Sequence, residues 1–241
     1  MNTMPTNHRT PAARSKTALA GRFLAAALLA LSLAACATSA QDPGGPLTIL
    51  PDTVPGGIDP GAGSATCVIA DRTFDDDVTV PADVDCTFTN VVIEGNLVLS
   101  RGASITSNGG HVDGNVLVYP NASYAADATT IGGNVQAERA GSVSLDGAQV
   151  DGNVQTKRTA SLTVVGGTVD GDIQPDDGGS VTVTGVQVNG NVQVYDNDGG
   201  VAITDNVIDG NLQCQGNQPA PTGSGNVVNG NAEGQCSALA N

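Results

Sequence analysis

Residues 112–117 read VDGNVL, and the same pattern returns as IGGNVQ at 131–136 and as VDGNVQ at 150–155. The Gly-Asn pair at its centre occurs eight times, in steps of 19, 19, 19, 19, 19, 20 and 20 residues, with one Asn-to-Asp change. The series is Gly95-Asn96, Gly114-Asn115, Gly133-Asn134, Gly152-Asn153, Gly171-Asp172, Gly190-Asn191, Gly210-Asn211 and Gly230-Asn231. So regular a period predicts one structural unit that stacks on copies of itself.

Each repeat also carries apolar residues at the same three places. Around two of them apolar and polar residues alternate, as in GNVQV at 190–194 and SVTVT at 180–184, which indicates short strands with one buried face. Because such strands cannot bury their apolar faces alone, we expect each to pair in parallel with its copy one turn later. The predicted fold is all-β: a single-stranded, parallel, right-handed β-helix of about eight full coils of 19–20 residues.

The repeats also resemble those of known proteins. The Val-x-Gly-Asn-Val unit is similar to the repeats of bactofilins, the bacterial β-helical proteins that form polymers, and the coil architecture is similar to the pectate-lyase-like superfold. Residues 210–236 resemble the end of a widespread group of exported bacterial proteins. These resemblances cover about residues 67–236 and imply the fold more strongly than a function. Bactofilins lack an export signal and cysteines, so polymer formation is not carried over.

The first 35 residues have the features of a lipoprotein signal peptide. Four basic residues precede an apolar run at 23–33, which is too short to span a bilayer as a permanent helix. The following Leu33-Ala34-Ala35-Cys36 resembles the lipobox of bacterial lipoproteins, which implies cleavage before Cys36 and its lipidation. The alternative is an ordinary Ala-x-Ala signal with an incidental cysteine. Since Ala37 is not an aspartate, the resemblance implies the outer membrane if the cell has two membranes.

The rest of the chain divides into a linker and one domain. Residues 36–65 are predicted to be the lipidated cysteine and a flexible Pro/Gly linker, and residues 66–241 the β-helix domain. After Cys36 the chain has five basic residues against 24 acidic ones, and their difference is a formal net charge of −19. Such a charge disfavours binding to nucleic acid or electrostatic docking on anionic lipids.

Four cysteines remain after Cys36. Cys67 and Cys86 lie one period of 19 residues apart, and Cys214 and Cys236 lie in the last two units. Neighbouring strands are ~4.8 Å apart, within the Cα separation that a disulfide tolerates, so two disulfides are predicted at the two ends. Zinc binding is the alternative, although no Cys-x-x-Cys motif accompanies the four cysteines.

The most regular polar feature is the asparagine column of the repeat. We interpret it as a structural ladder of stacked amides, and a ligand array is the alternative. The preceding glycine is expected to supply a backbone conformation that other residues resist. The ladder residues are Asn96, Asn115, Asn134, Asn153, Asn191, Asn211 and Asn231.

A cluster of acidic residues marks two adjacent coils. The unit at 190–209 has one inserted residue, which is expected to bulge there, as functional loops of solenoids do. If any metal site exists, it should be a calcium site formed by Asp176, Asp177, Asp196 and Asp198, because calcium binds several hard oxygens. The alternative is that Lys157 and Arg158, one coil earlier, compensate these charges as surface ion pairs.

Polar side chains also line the outer faces of the predicted strands. An outward glutamine ladder is expected at Gln136, Gln155, Gln174, Gln193 and Gln213. On the next face, threonines resemble the arrays of ice-binding solenoids but are interrupted by Ala125, Ser144 and Ala202. Cross-strand hydrogen bonding is the simpler interpretation of both faces.

These features favour a protein without catalytic activity. No catalytic residue is predicted, since His111 has no partner visible in the sequence and the mature cysteines are expected to be paired. We expect a lipid-anchored cell-envelope protein with a structural or adhesive role, which contacts the membrane through its anchor and envelope polysaccharide or protein through its surface. The alternative is polysaccharide binding, or a calcium-dependent polysaccharide lyase that uses Lys or Arg as a base, as the pectate-lyase-like resemblance implies.

Overall fold

The computed structural model describes residues 47–48 and 65–241. These residues form a parallel β-solenoid of about nine turns, which confirms the predicted fold class. Each turn contributes one short strand to each of three sheets, and every pair of neighbouring strands is parallel. Within the described ranges there is no helix, and so none long and apolar enough to cross a membrane.

We name the three sheets A, B and C in the order in which a turn visits them. Sheet A consists of Leu47–Thr48, Val78–Val80, Leu97–Leu99, Val116–Val118, Val135–Glu138, Val154–Lys157, Ile173–Asp176, Val192–Tyr195, Leu212–Gln215 and Ala232–Gly234. Sheet B consists of Ala65–Ala70, Val84–Thr89, Ser104–Asn108, Ser123–Asp127, Ser142–Asp146, Ser161–Val165, Ser180–Thr184 and Val201–Thr204. Sheet C consists of Thr73–Phe74, Val92–Ile93, His111–Val112, Thr130–Ile131, Gln149–Val150, Thr168–Val169, Gln187–Val188, Val207–Ile208 and Val227–Val228.

The period of the sequence sets the register of the strands. Val116 pairs with Leu97 on one side and with Val135 on the other, so residues 19 apart in the chain are neighbours in the sheet. After the insertion the step becomes 20, and Val192 pairs with Leu212. This register places the apolar residues of all three sheets in one continuous buried core. The alternation of buried and outward residues along each strand follows from it.

Two of the three corners in each turn are made by a single residue in the left-handed backbone conformation. Its φ lies between 47° and 73° in every turn, and at most of these corners the next residue is buried, as at Ala122 and Ala148. Between sheets A and B these residues are Asp83, Gly102, Asn121, Arg139, Arg158, Asp177, Asp196, Gly216 and Gly234. Between sheets B and C they are Asp71, Asn90, Gly109, Ala128, Gly147, Gly166, Gly185, Asp205 and Gly225.

The third corner, which carries the repeated Gly-Asn pair, does not use that conformation. None of its eight glycines has a positive φ, so the expectation that they supply an unusual backbone conformation is wrong. They are required by close approach instead. A Cβ on Gly133 would lie 2.7 Å from the carbonyl oxygen of Gly114 and 2.8 Å from Oδ1 of Asn115, one turn earlier.

Both predicted disulfides are present. Cys67 is bonded to Cys86 across neighbouring strands of sheet B, with 4.5 Å between their Cα atoms. Cys214 is bonded to Cys236 at the C-terminal end, with a Cα separation of 5.2 Å. All four sulfur-bearing side chains are buried, so each bond links one turn to the next inside the core.

The inserted residue of the unit 190–209 lies between Asn197 and Val201, because Asp176 pairs with Tyr195 after 19 residues whereas Val181 pairs with Val201 after 20. Asp198 and Gly199 are exposed there, whereas Asn197, just before them, is only 1% exposed and occupies the same column as Gly178. Its Nδ2 donates to the carbonyl oxygens of Tyr195 (2.9 Å) and Pro175 (3.3 Å), and its Oδ1 accepts the N–H of Gly178. Asn217 repeats this arrangement one turn later. A buried amide ladder therefore lies beside the insertion at the A–B corner.

Candidate functional site

The asparagine ladder runs along the C–A corner and forms as predicted. At each turn from Asn96 to Asn153, the backbone N–H and Nδ2 both donate to the side-chain oxygen one turn earlier, at 2.7–3.1 Å. Asp77 accepts the first pair of bonds, and Asp172 continues the ladder to Asn191. Asn211 and Asn231 keep only the bond from their backbone N–H.

The ladder is chemically saturated on its oxygen atoms. A side-chain amide oxygen has two lone pairs, and each inner Oδ1 already accepts two hydrogen bonds from the next turn. The side chains are also half-buried, and backbone hydrogen bonds between successive glycines run beside them. This geometry favours the structural interpretation of the column over a ligand array.

The residue before the repeated glycine is often acidic, and two of these carboxylates accept a hydrogen bond from the asparagine in the same position one turn later. Asn189 donates to Asp170 at 2.9 Å, and Asn229 donates to Asp209 at 2.7 Å. On the same sheet His111 contacts Asp113, a partner that we did not predict. His111 and Asp113 are two residues apart and lie on either side of the buried Val112, so the alternation in the sequence places both on the outward face.

The predicted calcium ligands divide between two neighbouring turns. Lys157 donates to Asp176 at 2.5 Å and Arg158 donates to Asp177 at 2.9 Å, so both carboxylates already have a cationic partner one turn earlier. The side chain of Asp196 points along its corner toward Gly216, where a Cβ would meet its Oδ1 at 1.8 Å, and the backbone N–H of Asp198 donates to Gly178.

Among residues 47–48 and 65–241, no group of three or more His, Cys, Asp or Glu side chains is arranged to hold a metal ion. The four aspartates therefore share an edge of the solenoid without converging on one point. The ion pairs are those of the alternative interpretation, in which basic side chains compensate the cluster. Calcium binding there stays a prediction for titration.

The outer face of sheet A carries a second amide ladder, made of the five predicted glutamines. Nε2 of each glutamine donates to Oε1 of the next one, at distances of 3.3, 2.7, 2.7 and 2.8 Å from Gln136 to Gln213. The ladder then ends on Glu233, which accepts from Gln213 at 3.0 Å. Unlike the asparagine ladder, this one lies on an outward strand face.

Beside the glutamines lies a column of larger side chains, two residues further along each strand. It begins with Tyr119 and continues through Glu138, Lys157 and Asp176 to Tyr195, with neighbouring strands in register. Tyr119 is 49% exposed, which is high for so large an apolar side chain. The column from Tyr119 to Asp176 and the three glutamines beside it line an open trough of about 390 Å³, and Leu117 is also part of the lining.

We call this surface the sheet A trough. It was only partly predictable, because the glutamines follow the strand alternation whereas Tyr119 lies just after its strand, beside Pro120. Its charged groups are paired: Lys157 with Asp176, and Glu138 with Arg139 at 3.3 Å. With Arg139, which lies at the adjoining corner outside the lining, these groups sum to zero charge in a chain whose formal net charge is −15.

The interior offers one titratable side chain that is unusual. Tyr124 is buried in the core, and burial raises the pKa of its hydroxyl above the ordinary range, an effect that the nearby Ser107 hydroxyl partly offsets. A phenol held neutral away from solvent is a packing group and has no access to a ligand.

No protein-family model matches the sequence, and neither a curated protein nor a solved structure matches it. Functional inference therefore rests on the surface geometry. Cys36, the predicted lipidation site, lies outside the described residues, and so do the signal peptide of residues 1–35 and most of the linker.

Proposed function

We propose that this chain is a lipid-anchored protein of the bacterial cell envelope whose β-solenoid serves as a structural or adhesive surface element without catalysis. The supporting observation is the sheet A trough, in which a continuous amide ladder faces outward over successive turns. A surface that repeats with every turn suits contact with an extended, repeating partner better than the recognition of one small molecule.

Anchoring is supported by the sequence alone. Residues 1–35 have a basic start and an apolar run, and Leu33-Ala34-Ala35-Cys36 resembles a lipobox. Several acyl chains on Cys36 would hold the solenoid stably at a membrane surface, with the Pro/Gly-rich segment to residue 65 as a spacer. If the cell has two membranes, we expect the anchored protein at the outer one.

The resemblances to bactofilins and to the pectate-lyase-like superfold enter this proposal only through their coil architecture. The lyase alternative needs a basic side chain free to abstract a proton. Lys157 and Arg158 are the basic residues at the acidic edge, and each contacts a carboxylate of the next turn. Ion pairing of this kind supports a surface role for them.

The anchor is tested by metabolic labelling with a fatty acid, in cells producing the wild type, Cys36→Ser and the neighbouring control Ala37→Ser. We expect labelling of the wild type and the control, and its loss in Cys36→Ser together with release or failed processing. Labelling that persists in Cys36→Ser refutes the lipobox assignment.

The absence of catalysis is tested separately. Purified protein is incubated with acidic polysaccharides and calcium, and unsaturated products are followed by their ultraviolet absorbance. We expect none to form. Depolymerisation that requires calcium would overturn the non-enzymatic role and favour the lyase alternative.

A further inference from the structure

The two amide ladders differ in their unused hydrogen-bonding capacity. A glutamine side chain has two N–H donors and an oxygen with two lone pairs. Within the sheet A ladder, Gln155 and Gln193 each use one N–H and one lone pair on their neighbours, which leaves each of them one donor and one acceptor. Gln174 also donates to Asp172, and Gln213 also accepts from Tyr195, so the first keeps only an acceptor and the second only a donor. The inner residues of the asparagine ladder keep no acceptor, since their oxygens each accept two bonds.

We propose that the sheet A trough binds a neutral, extended polysaccharide that lies along the solenoid axis. A sugar hydroxyl both donates and accepts a hydrogen bond, and this matches the one donor and one acceptor that Gln155 and Gln193 each leave free. Successive turns are ~4.8 Å apart, close to the length of one sugar residue in an extended β-linked chain. This proposal deepens the adhesive role proposed above and rests on it.

Tyr119 supplies the aromatic contact at one end of the trough. Tyr195 belongs to the same column, four turns or ~19 Å further along the axis, where it lies outside the trough lining and its hydroxyl donates to Oε1 of Gln213 at 3.4 Å. Tyrosine presents a rigid ring with a polar end, and the apolar face of a sugar ring packs on such a surface while its hydroxyls bond to polar groups nearby. Leu117 extends the apolar end of the trough beside Tyr119.

Charge selects among polysaccharides. The cations of the trough are paired with carboxylates, so an acidic polymer meets no free positive charge there and is repelled by a chain whose formal charge is −15. A cationic polymer would have to compete with Lys157 for Asp176 and with Arg139 for Glu138. A neutral glycan meets neither obstacle.

A second copy of the chain is a different occupant of an amide-rich face. Stacked glutamines interdigitate well only between flat surfaces. Tyr119 stands at one end of the trough with about half of its surface exposed, so a flat second sheet would meet this side chain before it reached the glutamines, whereas a single polymer chain can lie beside it.

Binding is measured by isothermal titration calorimetry with the full-length protein and three hexasaccharides: cellohexaose, chitohexaose and the acidic hexagalacturonate. We expect at least one neutral hexasaccharide to bind and the acidic one not to bind. Tyr119→Ala and Gln155→Ala should each weaken binding by about tenfold, as the loss of a central contact does. Gln149→Ala removes an exposed glutamine from sheet C and is the matched control, with affinity unchanged.

The proposal is overturned if neither neutral hexasaccharide binds at millimolar concentration, if hexagalacturonate binds more tightly, or if Gln149→Ala weakens binding as much as Gln155→Ala. Sedimentation velocity on the same proteins tests whether a second copy of the chain occupies the trough. Self-association of the wild type that is lost in Gln155→Ala would show that this face is an interface between copies and would overturn the proposal. Fatty-acid labelling of Cys36 does not depend on Tyr119 or Gln155, so a failure of anchoring is distinguishable from a failure of glycan binding.

Discussion

The side-chain oxygen of Asn115 accepts two hydrogen bonds from Asn134, one turn later: from its backbone N–H and from its Nδ2, both at 2.9 Å. One amide thus satisfies a backbone donor at the corner and fixes the side chain of the next turn. Because the packing at the position before each asparagine leaves no room for a Cβ, the glycine and the asparagine are required together. This joint requirement explains why the Gly-Asn pair recurs at a nearly constant spacing along the chain.

The ladder predicts an order of stabilities for substitutions of Asn134. Asn134→Ala removes one donor and the acceptor of two bonds from Asn153, and we expect a loss of about 2–4 kcal/mol, because each donor left unsatisfied costs about 1–3 kcal/mol. Asn134→Asp keeps the acceptor, as Asp172 does naturally, and should cost less. Unfolding in urea measures both.

Gln136→Ala is the matched control for the ladder, because Gln136 is an exposed amide in the same turn with one side-chain bond. It should change the free energy of unfolding by no more than about 0.5 kcal/mol. Equal costs for Asn134→Ala and Gln136→Ala would contradict a structural role for the asparagine column.

Close packing at the C–A corner predicts a large effect of Gly133→Ala. The new Cβ would lie 2.7 Å from a backbone carbonyl that cannot move without disturbing the next turn, and overpacking of this kind costs about 1–3 kcal/mol. Gly141→Ala is the control, since its Cβ would meet the Ser123 hydroxyl at 3.0 Å and backbone carbonyl oxygens only at 3.4 Å or more, and its φ is not positive. Thermal unfolding should separate the two, and an equally stable pair would show that the corner tolerates a side chain.

Much of this architecture was predictable because a fixed period assigns residues to columns. Once Cys67 and Cys86 are one period apart, parallel stacking makes them neighbours, and the same reasoning places Asn115 beside Asn134. The glutamine ladder followed from the strand alternation in the same way.

The errors arose where a residue type has more than one physical use. Glycine serves both positive φ and close approach, and the sequence does not separate them, so the reason for Gly133 was misassigned. The burial of Asn197 was not predicted, because polar residues next to an insertion favour loops. The direction of its side chain depends on the carbonyl oxygens of Pro175 and Tyr195, which only the folded corner brings within reach of the amide.

Loss of a disulfide should destabilise one end of the solenoid. We expect replacement of both Cys214 and Cys236 by Ala to cost on the order of 2–4 kcal/mol and to accelerate amide hydrogen exchange in the last turns first. The corresponding double variant of Cys67 and Cys86 is the comparison, with faster exchange at the N-terminal turns. Peptide mapping that linked the first pair to the second would contradict the observed register.

The buried phenol of Tyr124 predicts a loss of stability at alkaline pH. Its pKa is raised in the folded state, so above about pH 10 the unfolded chain loses this proton and the folded one does not, and stability falls by up to about 1.4 kcal/mol per pH unit. Tyr124→Phe should remove that component. In the described part of the chain the neutral hydroxyl makes no hydrogen bond, and the nearby Ser107 hydroxyl is bonded to Gly109 and Thr129, so the variant should be as stable as wild type at neutral pH. Unfolding at pH 8 and pH 10.5, with Tyr119→Phe as control, tests this.

The ion pairs at the acidic edge predict the outcome of a calcium titration. Asp176 and Asp177 are held by Lys157 and Arg158, so calcium would have to displace two cations and draw Asp196 and Asp198 from the next turn. We therefore expect millimolar calcium to leave the Tm of the protein unchanged, and magnesium, as the control cation, to have the same lack of effect. A rise in Tm with calcium alone that Asp196→Asn abolishes would establish the metal site and contradict compensation by the basic pair.

A double variant, Lys157→Ala with Arg158→Ala, extends the test. If the ion pairs relieve repulsion among the four aspartates, freeing Asp176 and Asp177 should make the Tm of the double variant rise with calcium.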